Sequence, residues 1–254
     1  MVKKIFIMEK ERFNFEEKFF GDWNLFEKVV ANPETIFIFD TDGILANSPK
    51  VVFKMFNEKY GVHADPAEMD RQYYLTYLAN ELNLGKDAVE HAEDNWYKPE
   101  VLLRAQRYLW AKPIILKVIN GHGYDGCKIL TSRNPSFKKI TLNWYSREIP
   151  EIRHENILIR NEKFDGHSAE FKVQSVESLA KKAPWVVFID DFDKFCHSVL
   201  DADVKNCLVI YAPWGKIVPR PNHERLVVVG RHPQSLQAMY PLYDAINRAL
   251  VAHS

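Results

Sequence analysis

Six short apolar runs rich in Ile, Val and Phe constrain this 254-residue chain more than any other feature. They are TIFIFD (35–40), CKILTS (127–132), NILIRN (156–161), PWVVFIDD (184–191), NCLVIYA (206–212) and RLVVVG (225–230). Each is close to continuous in apolar residues rather than alternating, as strands covered on both faces are. Helical patterns lie between several of them: 135–149 after the second run, 170–183 before the fourth and 192–202 after it. Strands alternating with helices predict an α/β fold, a three-layer, Rossmann-like core around a parallel sheet. A further helical pattern, 232–253, is bent or restarted at Pro241.

One stretch breaks this rhythm. Between residues 48 and 124 no run reads as a strand, and charged, aromatic-rich helical patterns follow one another, punctuated by Gly and Pro at plausible helix ends. The simplest organisation is an all-helical cap (48–124) inserted after the first core strand, with the core built from 35–47 and 125–254. Residues 1–34 are expected to form an N-terminal helical extension.

Composition narrows the function classes. Lys+Arg and Asp+Glu both number 34, so no net field draws the chain to a nucleic-acid polymer or an anionic membrane. Charges interrupt every apolar stretch before it reaches the length of a membrane span. The start, MVKKIFIMEK, has too short an apolar region for a signal peptide. Cys127, Cys196 and Cys207 show no metal-ligand spacing and are expected to be reduced. A soluble, cytoplasmic chain is the expectation, with the oligomeric state left open.

Three runs end in groups able to do chemistry. The first ends at Asp40 and Asp42, the second at Thr131 and Ser132, and the fourth at Asp190 and Asp191. Singly, each is ordinary turn or helix-cap chemistry. Jointly they would meet outside the carboxyl ends of parallel strands, where open α/β sheets bind ligands. Several carboxylates in one crevice call for a cation, and Mg²⁺ suits hard oxygen donors beside a phosphate.

FIFDTDGILANS resembles the Asp-x-Asp-Gly motif of the haloacid dehalogenase-like superfamily. KILTS is similar to its second motif and VVFIDD to its acidic fourth, while Lys172 is placed as its lone lysine, with Lys163 as the rival. The combination DTDGILANS, LTSRN and FIDD is most similar to the 5′(3′)-deoxyribonucleotidase-like branch. The resemblance implies a Mg²⁺-dependent phosphomonoesterase acting on a small phosphorylated substrate. Asp40 would be the nucleophile that forms a phosphoaspartate, and Asp42 the general acid and then base. Thr131 and Lys172 would bind and neutralise the phosphoryl group. Asp40, Asp42 (through its carbonyl), Asp190 and Asp191 would hold the metal. Ser132, Arg133 and Lys138 are further candidate phosphate contacts, and Asp193 is a weaker metal candidate.

Alternatives stay open: a sugar-phosphate or phosphoglycolate-like phosphatase, a phosphomutase, or a catalytically silent binding module. Seven aromatic residues of the helical region, Tyr73, Tyr74, Tyr77, Trp96, Tyr97, Tyr108 and Trp110, either pack its helices together or stack on a substrate base.

Overall fold

The computed structural model describes residues 19–164, 166–213, 223–229 and 246–247. Strands β1 (Phe19–Phe20), β2 (Ile36–Phe39), β3 (Cys127–Thr131), β4 (Ile157–Ile159), β5 (Val186–Asp190), β6 (Cys207–Tyr211) and β7 (Leu226–Val229) form one sheet in the order β1-β7-β6-β5-β2-β3-β4. Neighbours from β7 through to β4 run parallel, and β1 is an antiparallel edge. All six apolar runs thus supply strands. β1 is a correction, because the patterning before residue 35 predicts only helix. Its pairing of Phe19 with Val229 is a tertiary contact that local sequence does not announce. The helix expected there is α1 (Trp23–Ala31), capped by the Asp22 carboxylate, which accepts the Leu25 N–H at 3.0 Å. The helix expected at 232–253 lies outside the described residues, apart from Ile246 and Asn247, which are helical.

Alternate side chains of the strands feed two separate cores, one on each face of the sheet. Phe37, Phe39, Ile129, Val187, Ile189 and Leu208 join a cluster with α1, α6 (Ala111–His122) and α7 (Lys138–Glu148). Ile38, Leu130, Phe188 and Val209 face the other way, onto α8 (Ser168–Ala180) and α9 (Asp193–Asp201). Strands covered on both faces explain why their sequences carry no polar alternation. Each fully buried Phe or Ile contributes roughly 1.5–3 kcal/mol relative to exposure.

From residue 48 to 104 the described elements are helical: α2 (Ser48–Tyr60), α3 (Tyr74–Glu81), α4 (Lys86–Asp94) and α5 (Pro99–Arg104), with short 3₁₀ turns between them. Helix α2 opens on an Asn47 cap with Pro49 in its first turn, and stops at Gly61 in the left-handed region. α3 packs on α4, and α2 on α5. The aromatic residues divide here. Tyr108 and Trp110 are buried and stacked with centroids 5.5 Å apart, and Tyr74 stacks on Phe53, whereas Tyr73 and Tyr97 are exposed. Cys127, Cys196 and Cys207 are buried and free. No helix among the described residues is long and apolar enough to cross a membrane.

The sheet order reverses at β2. The chain runs from β2 outward through β3 and β4, then returns to lay β5 on the other side of β2. The carboxyl ends of β2, β3 and β5 therefore lie side by side at a topological switch point, where a crevice opens.

Candidate active site

The crevice is built on the segment after β2. Asp40 N–H still bonds the Ile189 carbonyl across the sheet at 2.9 Å, so the first carboxylate is fixed by strand pairing. The chain then folds back: Leu45 and Ala46 donate to the Thr41 carbonyl at 2.9 and 2.7 Å, and Gly43 donates to Ala46. Gly43 has φ 76°, a turn that an L side chain rarely adopts. The Thr41 hydroxyl shares a buried hydrogen bond with the Tyr145 hydroxyl of α7 at 2.7 Å. Thr41 thereby ties the segment that carries the two aspartates to α7.

Asp40 is 6% exposed and accepts from Lys172 Nζ at 2.8 Å. The same ammonium donates to Asp190 at 2.5 Å, and both Lys172 and Asp190 are fully buried. Lys172 comes from the second turn of α8 and crosses under the end of β5, with the Phe195 ring centroid 4.3 Å from its nitrogen. Asp190 also accepts the Phe192 N–H at 2.9 Å. Asp191 adds a third carboxylate: oxygens of Asp40, Asp190 and Asp191 all lie within 4.8 Å of one another.

Burial dominates the electrostatics. Desolvation pushes Asp40 up to about 7; Lys172 pulls it down, and Asp190 and Asp42 repel its charge. Asp190 is raised for the same first reason, burial. Burial pulls Lys172 down, but Asp190 and Asp40 outweigh it, so the ammonium is held charged.

Asp42 belongs to a second, wetter group. Its carboxylate accepts from Arg133 Nη2 at 2.5 Å and from the Ser48 hydroxyl at the start of α2. Arg133 is itself 7% exposed, so the guanidinium expected to meet a phosphate spends one donor on Asp42. Thr131, at the end of β3, is buried and accepts the Arg133 N–H at 3.4 Å, bracing that loop. Ser132 is half-buried beside it.

The other candidates stand apart. Lys163 is exposed, with its ammonium 5.2 Å from the Phe164 ring centroid, while Lys172 occupies the centre of the crevice. Lys138 is exposed on α7. Asp193 pairs with His197 one helical turn on, at 3.0 Å. Sequence patterning also missed Ser48, Tyr145 and Gln72, whose amide reaches the Asp191 carbonyl at 3.5 Å. Ser48 lies within the DTDGILANS stretch but reads there as a plain helix start; the other two carry no local signal.

The donor set fits Mg²⁺. It is made of hard carboxylate oxygens at one sheet edge, where Asp40 and Asp190 share the single ammonium of Lys172 while Asp42 meets Arg133. The Asp42 side chain lies outside the close carboxylate trio, leaving its backbone carbonyl as the ligand the motif implies.

No protein-family model matches the chain, and neither does any curated protein. Among solved structures, the chain is similar to a HAD family hydrolase from Deinococcus radiodurans R1 with bound phosphate and sodium. That likeness has 14% identity, covers 84% of this chain and 97% of that one, and has a TM-score of 0.49. A HAD-superfamily hydrolase from Ehrlichia chaffeensis is 15% identical over 85% of this chain and 97% of its own, with a TM-score of 0.49. A structure described as a predicted phosphoglycolate phosphatase from Haemophilus somnus 129pt is 15% identical over 74% and 90%, with a TM-score of 0.45. At these identities and TM-scores, the likenesses assign this chain no activity of its own.

Proposed function

We propose that the chain is a phosphomonoesterase that acts through a phosphoaspartate on a small phosphorylated metabolite. The observation that carries this reading is the Asp40–Lys172–Asp190 triad, with Asp42 two residues from Asp40 in the same crevice. A carboxylate oxygen of Asp40 attacks phosphorus as the ester P–O bond breaks, and Asp42 gives a proton to the departing oxygen. Asp42 then takes a proton from the water that cleaves the acyl phosphate, freeing inorganic phosphate and restoring Asp40. Lys172 neutralises charge on Asp40 and on the transferring group, in a site dry enough to make that attraction strong. Arg133 and Ser48 set where the Asp42 carboxyl sits. Asp40, Asp190 and Asp191, with the Asp42 carbonyl, would hold Mg²⁺, which would supply Lewis-acid neutralisation of phosphoryl oxygens.

For the leaving group, one that carries a planar base, such as the nucleoside of a (deoxy)nucleoside monophosphate, is the narrower proposal. Tyr73 and Tyr97 are 62% and 67% exposed, and the Tyr73 ring meets Phe192, next to Asp191, edge-on at 5.9 Å. Tyr73 is also a non-glycine residue at φ 58°, a conformation that costs on the order of 1–3 kcal/mol and is often retained where it serves a ligand.

The test is phosphate release from a panel of nucleoside monophosphates, sugar phosphates and phosphoglycolate, with Mg²⁺ and after its removal, using Asp40→Asn as control. Mg²⁺-dependent release that vanishes in the variant is the expected result. A folded wild type that releases no phosphate from any member would sink the reading.

A further inference from the structure

The helical region and the sheet are joined by two chain segments, 47–54 leading out and 104–110 leading back, and a pocket of about 470 Å³ lies between them. We propose that this pocket is a second anion site, separate from the carboxylate crevice, that takes the phosphate group of a small molecule.

Its lining is one-sided in charge. Lys50, Lys54, Arg104 and Arg107 all contribute to the wall, and no carboxylate does. Lys54 has Glu58 as a partner at 3.6 Å and Arg107 has Glu148 at 3.4 Å, both outside the lining. Lys50 and Arg104 have no carboxylate partner among the described residues. Two uncompensated positive charges match a phosphate group, which carries close to two negative charges at neutral pH.

Arg107 and the buried Trp110 close the wall on the returning segment. Val51 and the largely exposed Leu109 give the rim an apolar side for the organic part of a ligand. The volume is that of a small-molecule site, and its concave shape between two segments does not suit a polymer.

The position gives the site a consequence. Asn47 N–H bonds the Gln106 carbonyl at 2.9 Å, Tyr108 N–H bonds the Leu45 carbonyl at 2.9 Å, and the Tyr108 hydroxyl donates to Asn47 at 3.1 Å. The next residue, Ser48, donates to Asp42. An anion that draws Lys50 and Arg104 together thus tightens the two segments directly behind the Asp42 carboxyl.

Inorganic pyrophosphate is the probe, titrated calorimetrically into full-length protein cleared of divalent cations over chelating resin. Without such cations the carboxylate crevice repels the probe, while the basic pocket does not. The expected result is saturable one-site binding, weakened about tenfold or more in the Lys50→Gln/Arg104→Gln double variant and retained in Asp40→Asn. Hydrogen exchange should show bound-state protection confined to residues 45–50 and 105–110. Both replaced side chains are exposed, so the double variant keeps its fold. Equal binding by the double variant, loss of binding in Asp40→Asn, or no saturation by about 10 mM would each overturn the proposal.

Discussion

Asp40 and Asp42 stand two residues apart on one segment, yet they occupy opposite environments. Asp40 lies at the dry end, with side-chain exposures of 9% for itself and 0% for Lys172 and Asp190. Asp42 lies at the rim, 26% exposed, and is held by Arg133 and a hydroxyl. At the dry end two carboxylates share one ammonium, so negative charge is in excess and burial makes it costly. At the rim one carboxylate meets one guanidinium, and the charges cancel. A nucleophile that must receive a phosphoryl group and a metal suits the first setting. A group that must exchange protons with a leaving oxygen and with water suits the second.

The same substitution at the two positions sharpens this contrast. Asp40→Asn should reduce phosphate release to background, the largest effect expected. It should also stabilise the metal-free protein at pH 8, because it removes a buried charge. Asp40 is raised from 3.8 to about 7, so between those values the folded chain holds a proton that the unfolded chain has released. The group's contribution to stability is therefore greatest in acid and declines as pH rises through about 7, at about 1.4 kcal/mol for each pKa unit. The melting-temperature gain of Asp40→Asn should accordingly grow from pH 5 to pH 8, and a gain that is flat with pH would contradict this account. In turnover the same raised value gives an acid limb, which should move to lower pH as Mg²⁺ is increased.

Asp42→Asn should lower kcat by about a hundredfold to ten-thousandfold, the range for a lost general acid and base. Here the stability change has the opposite sign. Arg133, 5% exposed in its side chain, loses its countercharge, at a cost of roughly 1–3 kcal/mol by denaturant unfolding. If both Asn variants shift stability in the same direction, the distinction between dry end and rim is wrong.

Lys172→Met comes next in activity, with about a hundredfold to thousandfold loss expected for one removed stabilising donor. It should cost about 3–5 kcal/mol at pH 8, since Asp40 and Asp190 are left buried and unpaired. That cost should shrink as pH falls, because burial raises both carboxyls and favours their neutral forms.

The dry end was the more legible of the two in the sequence. A parallel sheet covered on both faces writes its strands as continuous apolar runs, and the candidate site residues Asp40, Thr131 and Asp190 stand where such runs stop. Lys172 was placed by its position on the helix before β5, although spacing alone could not separate it from Lys163. The rim was poorly legible. Arg133 turns its guanidinium onto a carboxylate 91 positions earlier, a direction set by the fold of the β3 loop and not by any local pattern. Ser48 looks like any helix start. β1 is invisible for a similar reason: two residues form a strand only because β7 offers an open edge.

The smallest expected effect tests whether the segment between the two carboxylates is scaffold alone. Tyr145→Phe removes one hydroxyl from the buried Thr41 pair and leaves the Thr41 oxygen without a partner, which should cost about 1–3 kcal/mol. Adding Thr41→Val should recover most of that loss, because replacing both partners with apolar groups of similar shape is close to neutral. The Thr41 hydroxyl bonds Tyr145 and not the Asp40 or Asp42 carboxylate, so kcat should fall less than about tenfold in either variant, a change of under 1.4 kcal/mol in the barrier. A drop as deep as that of Asp42→Asn, with stability restored in the double variant, would show that the Thr41 hydrogen bond sets the aim of both carboxylates. The contrast between dry end and rim would then rest on the backbone they share and not on their separate partners.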